Sequence, residues 1–177
     1  MPLSAHLAGW SGDAYRHIPK ISPFDLLDFR FSGLGADNPW NVPGHPTLYL
    51  AGDEGVLIAE WGRHFSVNRT PALQQETVER SVYRLHISLD AVLDLRDDAV
   101  CRDLSLEDAP LCFLDRELAR AVATFIRVST SAQAMLAPSV SFLDQPHRWC
   151  LVIFLDKLPD LRTFISSVTP CRLLRHG

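Results

Sequence analysis

The sequence predicts a mixed α+β fold in a single domain, and three stretches carry that reading. "RSVYRLHISLD" (80–90) alternates with a period of two: Tyr83, Leu85, Ile87 and Leu89 fall on one face, Arg84, His86 and Ser88 on the other. That pattern marks a half-buried strand. "RWCLVIFLD" (148–156) is a continuous apolar run, as expected of a strand central to a sheet. "LDRELARAVATFIRVS" (114–129) sets Leu114, Leu118, Val122 and either Phe125 or Ile126 on one helical stripe. Strands and helices do not alternate regularly, which favours α+β over a doubly wound parallel sheet.

The other elements follow in chain order. Residues 1–12 read as a loose lead-in, with the core over about 13–160. "AYRHI" (14–18) reads as a short strand broken by Pro19. "SPFDLLDFRFSG" (22–33) opens on a Ser-Pro turn and has room for one helical turn. "GLGADNPWNVPGHP" (33–46) is loop material, rich in Gly, Pro and Asx residues. Ordered loops of that length often serve function. "TLYLA" (47–51) is a strand, ended by Gly52. Asp53 then N-caps a helix from 54 to about 65, with Glu54 favourable in its first turn. "AVLDL" (91–95) continues the alternating strand past a kink, and "AMLAPSV" (134–140) reads as a strand, a proline turn and a second edge. Residues 161–174 fit either a strand or a helical turn.

Composition narrows the function classes. The chain has 177 residues, 47% hydrophobic and 21% charged, an ordinary globular balance with enough length for a core. A net charge of -4 disfavours a nucleic-acid surface, which needs a basic excess. The longest apolar runs are too short to span a bilayer, so no membrane contact is expected. The first residues, "MPLSAHLAGWSGD", lack a basic and apolar leader pattern, and a cytoplasmic location is the expectation. Cysteines at 101, 112, 150 and 171 form no C-x-x-C pair, so reduced thiols are expected and no metal site.

Common catalytic signatures are missing. "GLGADN" lacks the third glycine of a dinucleotide fingerprint and the Lys-Ser/Thr of a phosphate loop, and no G-x-S-x-G elbow exists. What remains is a set of polar residues at element ends: Arg16, Tyr49, Glu60 and Ser139. Each has a plain structural reading. Arg16 suits a strand surface, Tyr49 a core, Ser139 a turn after proline, and Glu60 a pair with Arg63 or His64. Glu60 shares a helix face with Val56, four residues earlier, so it faces either solvent or a pocket.

Together these residues carry a resemblance. "YR" near the start, "WNVPGHPTLYLAGDEGVLIAE" and "APSV" before an apolar strand resemble the RES domain family, from about Tyr15 to Asp156. The segment W-N-x-P-G-x-P-x-x-Y-L-A, with a glutamate eleven residues after its tyrosine, is the specific part. The resemblance implies an ADP-ribosyltransferase-like split β core with flanking helices around a NAD+ cleft. It implies a toxin of a toxin–antitoxin pair, with an Xre-type helix-turn-helix antitoxin as partner. NAD+ would be substrate, with no cofactor, and inorganic phosphate or water would accept the ADP-ribosyl group. Transfer to a protein is the alternative activity.

Carried onto this chain, the catalytic set is Arg16, Glu60 and Ser139, with Arg16, Tyr49, Trp40 and Ser139 binding the dinucleotide. One position departs: family members commonly have arginine directly before Trp-Asn, where this chain has Pro39. Arg30 is the candidate substitute, and a degenerate binding module is the reading if none exists. The residue types suit the chemistry. Departure of nicotinamide leaves positive charge on the ribose, which a carboxylate stabilises. An arginine fork matches phosphate oxygens, a tyrosine stacks on the ring, and a serine hydroxyl holds a phosphate or ribose oxygen.

Overall fold

The computed structural model describes residues 2–30, 32–33, 39–68, 78–160 and 163–176, with the backbone alone at 64–68, 78 and 176. Among the described residues nine regular elements run in order. They are β1 (Ala8–Pro19), β2 (Thr47–Ala51), α1 (Glu54–Asn68), β3 (Val78–Asp94), α2 (Asp98–Asp103), α3 (Arg116–Ser129), β4 (Ala134–Pro138), β5 (Trp149–Phe154) and β6 (Ile165–His176). Short 3-10 turns occupy Leu3–His6, Leu111–Leu114 and Leu155–Lys157. The mixed α+β class expected from the pattern holds. No helix among the described residues is long and apolar enough to cross a membrane.

The strands run β1-β2-β5-β4-β3-β6, and β1 also pairs with β3, so the sheet closes on itself. β1 lies antiparallel along β3 from Ala8↔Val92 to Pro19↔Arg80. β3 meets β4 in parallel at Val92↔Ala134 to Asp94↔Leu136, and β5 is antiparallel to both β4 and β2. The seam between β1 and β2 holds by a single residue pair, Tyr15↔Ala51. β6 branches off, running antiparallel to the first part of β3. The result is a barrel split along one side.

Alternation explains the two faces. Ala14, Leu48, Leu50, Leu85, Ile87, Leu136, Leu151 and Ile153 point inward and are almost wholly buried. Each such aliphatic side chain contributes about 1.5–3 kcal/mol relative to exposure. The opposite face, with Met135, Val152 and Phe154, is covered by α2 and α3. Asp115 caps α3 by accepting from the backbone of Glu117 (2.9 Å) and Leu118 (3.2 Å). Its stripe is Ala119, Val122, Ala123 and Ile126; Ile126 takes the buried position while Phe125 stays outside.

Three segments differ from the sequence reading. Residues 8–12 are not lead-in but the first part of β1, held by pairing to 87–92, a partner that no local pattern reveals. Residues 165–176 are strand, because the exposed edge of β3 offers a ladder that a lone turn could not use. α2 was not foreseen; Asp97 caps it through the backbone of Ala99 (2.8 Å).

One buried cation locks α3 to the barrel. Arg127, 5% exposed, donates to Asp156 through two nitrogens, to Thr47 Oγ1 (3.2 Å) and to the Pro46 carbonyl (3.1 Å). Replacing Asp156 by Ala leaves that charge with neutral acceptors only. Asp156→Ala is expected to lower stability by about 2–3 kcal/mol. Chemical denaturation measures this, and Asp108→Ala, in an exposed turn, serves as the neutral control.

Candidate functional site

The site is built where α1 crosses the open seam of the barrel. Gly52 ends β2 with its N–H on the Trp149 carbonyl (2.8 Å). A Cβ there would lie 2.6 Å from the Trp149 ring, so the turn requires glycine. Asp53 caps α1 as expected, accepting from Val56 N at 2.8 Å. Val56, Leu57 and Trp61 are buried and pack with Ala51 and Val82, and Tyr15 joins them from β1. That packing fixes the helix rotation and turns Glu60, half-buried, toward the loop after β4.

Glu60 Oε1 accepts two hydrogen bonds there, from Ser139 Oγ (2.6 Å) and from Ser141 N (3.0 Å). Ser139 is wholly buried and its N–H donates to the Arg148 carbonyl (3.0 Å), extending the β4–β5 ladder beyond Pro138. The loop returns through tight turns from Ser139 to Arg148. Two residues that stand 79 positions apart thus meet with short, charge-assisted geometry. Such a carboxylate is held in one orientation, and both recorded bonds fall on one of its oxygens.

Tyr49 and Trp40 form a separate cluster. The Tyr49 hydroxyl donates to Asn41 Oδ1 (2.6 Å) and accepts from Trp40 N (3.2 Å). Burial, the leading cause, pushes its ionisation far up. Tyr49 pairs with Val152, four residues along β5 from Arg148, which places it roughly 13 Å from the Ser139 row. Trp40 is 2% exposed, its ring tilted against Phe113 at 5.0 Å. Trp40 is closed in by its neighbours, and Tyr49 uses its hydroxyl to anchor the 39–42 loop.

Arg16 and Arg30 lie elsewhere again. Neighbouring residues on a strand face opposite ways. Tyr15 turns toward α1, and Arg16 turns to the other side, donating to the Leu26 carbonyl and stacking over Phe29 at 5.1 Å. Burial lowers its pKa to about 10, with the Asp28 carboxylate partly offsetting this. No hydrogen bond or ion pair joins Arg16 to Glu60. Arg30, expected as a substitute cation, grips Asp28 through two nitrogens (2.9 and 2.6 Å) on an exposed turn, and that bond holds the Asp28 carboxyl near 2. The local pair two residues away holds its guanidinium.

Sequence reasoning passed over Ser141, Phe142 and Arg148. Ser141 repeats the polarity of Ser139 two positions on, just past the 134–140 segment, and Arg148 heads the apolar run of β5. No group of His, Cys, Asp and Glu suited to a metal occurs among the described residues.

Cys150 lies in the same corner. Burial first, then the Glu60 and Asp53 carboxylates, push its thiol well above the usual range. Burial likewise raises Cys101 to about 11, whereas Cys171 is exposed. The thiolate is the reactive form. At neutral pH iodoacetamide is expected to modify Cys171 at least about tenfold faster than Cys101 or Cys150. A mass-spectrometric time course on native and urea-unfolded protein checks this.

Comparison with known proteins supplies the lineage. No curated protein matches the chain. The fold is similar to a chain in the crystal structure of the M. tuberculosis MbcT–MbcA toxin–antitoxin complex, at 20% identity and a TM-score of 0.65. That likeness covers 96% of this chain and 90% of the other. It bears out the α+β fold with a split β core and flanking helices expected above. The RES domain model matches residues 15–173, a span that begins at Tyr15 and takes in Glu60 and Ser139. A half-buried glutamate tied to the serine after a proline, across a barrel of this topology, is what that span builds, and the chain belongs to the RES domain family.

Proposed function

We propose that this protein is the toxin of a toxin–antitoxin pair and that it consumes NAD+ by cleaving the bond between nicotinamide and ribose. The observation that carries the reading is the Glu60–Ser139 contact. A carboxylate held rigid and half out of water suits a reaction that builds positive charge on a sugar.

The steps follow from that charge. The electron pair of the C1–N bond leaves with nicotinamide, which departs neutral and needs no strong acid. Glu60 stands beside the cationic ribose and stabilises it electrostatically. Ser139, wholly buried, acts as a positioning residue that fixes the carboxylate. Arg16, expected from the sequence to grip the diphosphate, turns to the other side of β1, onto the Leu26 carbonyl and Phe29, and takes no step in this scheme. An acceptor then attacks C1 and gives up its proton. Water yields ADP-ribose and inorganic phosphate yields ADP-ribose 1″-phosphate; a protein side chain would make the chain a mono-ADP-ribosyltransferase.

The MbcT–MbcA structure is that of a toxin–antitoxin complex. By analogy of fold, an antitoxin of the Xre helix-turn-helix type is the proposed partner, acting in the cytoplasm. A second reading, a binding module without turnover, is favoured by Pro39 and by Arg16 facing away from Glu60.

Glu60→Gln keeps the shape and removes the charge. It is expected to slow NAD+ consumption by roughly two to three orders of magnitude. Purified protein incubated with NAD+, with and without phosphate, and analysed by mass gives both rate and acceptor. Unchanged NAD+ with the parent chain sinks the toxin reading, and parental turnover by Glu60→Gln sinks the role of that residue. Ser139→Ala, which loses a bond to the charge, is expected to lower kcat by about tenfold with little effect on KM.

A further inference from the structure

The Glu60 corner contains two buried polar atoms with no hydrogen-bond partner: Ser141 Oγ and Arg148 Nε. Buried polar atoms are paired in the great majority of cases, so two in one corner require a cause. Both residues belong to the loop that holds Glu60. The Ser141 N–H donates to Glu60 Oε1, and the Arg148 carbonyl accepts from Ser139 N.

The Arg148 head is held without a short ion pair. It stacks over Phe142, 4.2 Å from the ring centre, and Nη1 stands 3.8 Å from Asp53 Oδ1. That oxygen already serves the α1 cap, and 3.8 Å is near the limit of an ion pair. The head also lies over the first turn of α1, where a Cβ on Gly55 would meet Nη1 at 2.8 Å. Glycine at 55 permits that approach. The start of a helix carries roughly half a positive charge, which the Asp53 and Glu54 carboxylates offset here until an anion adds to it. A cation, a hydroxyl and a helix start converging beside an unsatisfied guanidinium nitrogen are the makings of an anion site.

We propose that Arg148 and Ser141 bind the diphosphate of a dinucleotide substrate. The identity of the ligand rests on the NAD+ reading above; the anion chemistry rests on the geometry here. Gly55, under the Arg148 head, precedes Glu60 by five residues, about 7.5 Å along the helix. Ser139, whose hydroxyl holds Glu60, is also bonded through its N–H to the Arg148 carbonyl, so a sugar at Glu60 brings its phosphate to the Arg148 side of this loop. The guanidinium fork presents Nε and a terminal nitrogen side by side to two phosphate oxygens. Phe142 holds the plane of the fork, and Ser141 Oγ donates to a third oxygen.

Calorimetry of the full chain with ADP-ribose tests this, since ADP-ribose carries the diphosphate and has no nicotinamide bond to break. Arg148→Gln is expected to weaken ADP-ribose binding by about tenfold or more and Ser141→Ala by about threefold. Arg148→Lys should recover part of the loss. In turnover, Arg148→Gln should raise KM for NAD+ and leave kcat near the parental value, whereas a purely structural role would disturb Glu60 and lower kcat. Parental ADP-ribose affinity in Arg148→Gln, or a parent chain that binds no ADP-ribose, overturns the proposal. If Arg148→Gln does not fold, Ser141→Ala and Arg148→Lys decide, and parental affinity in both overturns it. A parent that binds ADP-ribose through Arg148 but leaves NAD+ intact refutes the toxin reading alone. A parent that consumes NAD+ with KM unchanged in Arg148→Gln refutes this subsite alone.

Discussion

Strand β3 is the constraint on which the rest depends. It pairs with β1 along one edge and, along the other, first with β6 and then with β4. One strand therefore belongs to both halves of the barrel and forces the sheet to close. The long β1–β3 ladder aligns β1 with β3 and leaves β1 and β2 joined at a single residue pair. The seam is the part of the ring where backbone pairing is poorest, and α1 covers it with Val56, Leu57 and Trp61.

That cover sets the position of the chemistry. A helix lying over a seam has one face buried and the next face aimed along the sheet edge. Glu60, one turn after Val56 on the same side of the helix, falls at the rim of that buried face, where the loop between β4 and β5 supplies Ser139 and Ser141. The carboxylate is thus satisfied by protein donors before any ligand arrives. Fixing a charge in advance avoids reorganisation at the moment of reaction, which is the physical advantage of such an arrangement. The same loop also carries Arg148, so orientation of the carboxylate and any grip on an anion beside it are mechanically linked. At the start of β2, the end away from Gly52, the Arg127–Asp156 pair holds α3.

The elements with strong local patterns were legible in the sequence. β2 is where Thr47 to Ala51 predicted it, and Asp53 caps α1 because its carboxylate can reach the N–H groups of the first turn without outside help. The amphipathic stripe of α3 and the central position of β5 rest on the same kind of local signal. Residues 8–12 and β6 were not legible, since each is strand only through pairing with β3. At the site, Glu60 and Ser139 meet as the motif suggests, while Trp40 packs on Phe113 and the Tyr49 hydroxyl bonds the 39–42 loop. Aromatic and hydroxyl groups serve a core as well as they serve a ligand, and only burial separates the two uses.

By itself the sequence determined the fold class, the main helices and the family, because periodicity, caps and a spaced motif act over a few residues each. Tertiary structure alone decided which face each side chain presents. Arg16 follows Tyr15 by one residue, yet the pleat sends them to opposite sides, and the register with β3 decides which side each one takes. It also decided that Ser141 and Arg148 stand beside Glu60, since a contact across 81 positions depends on how the whole ring closes and leaves no local trace.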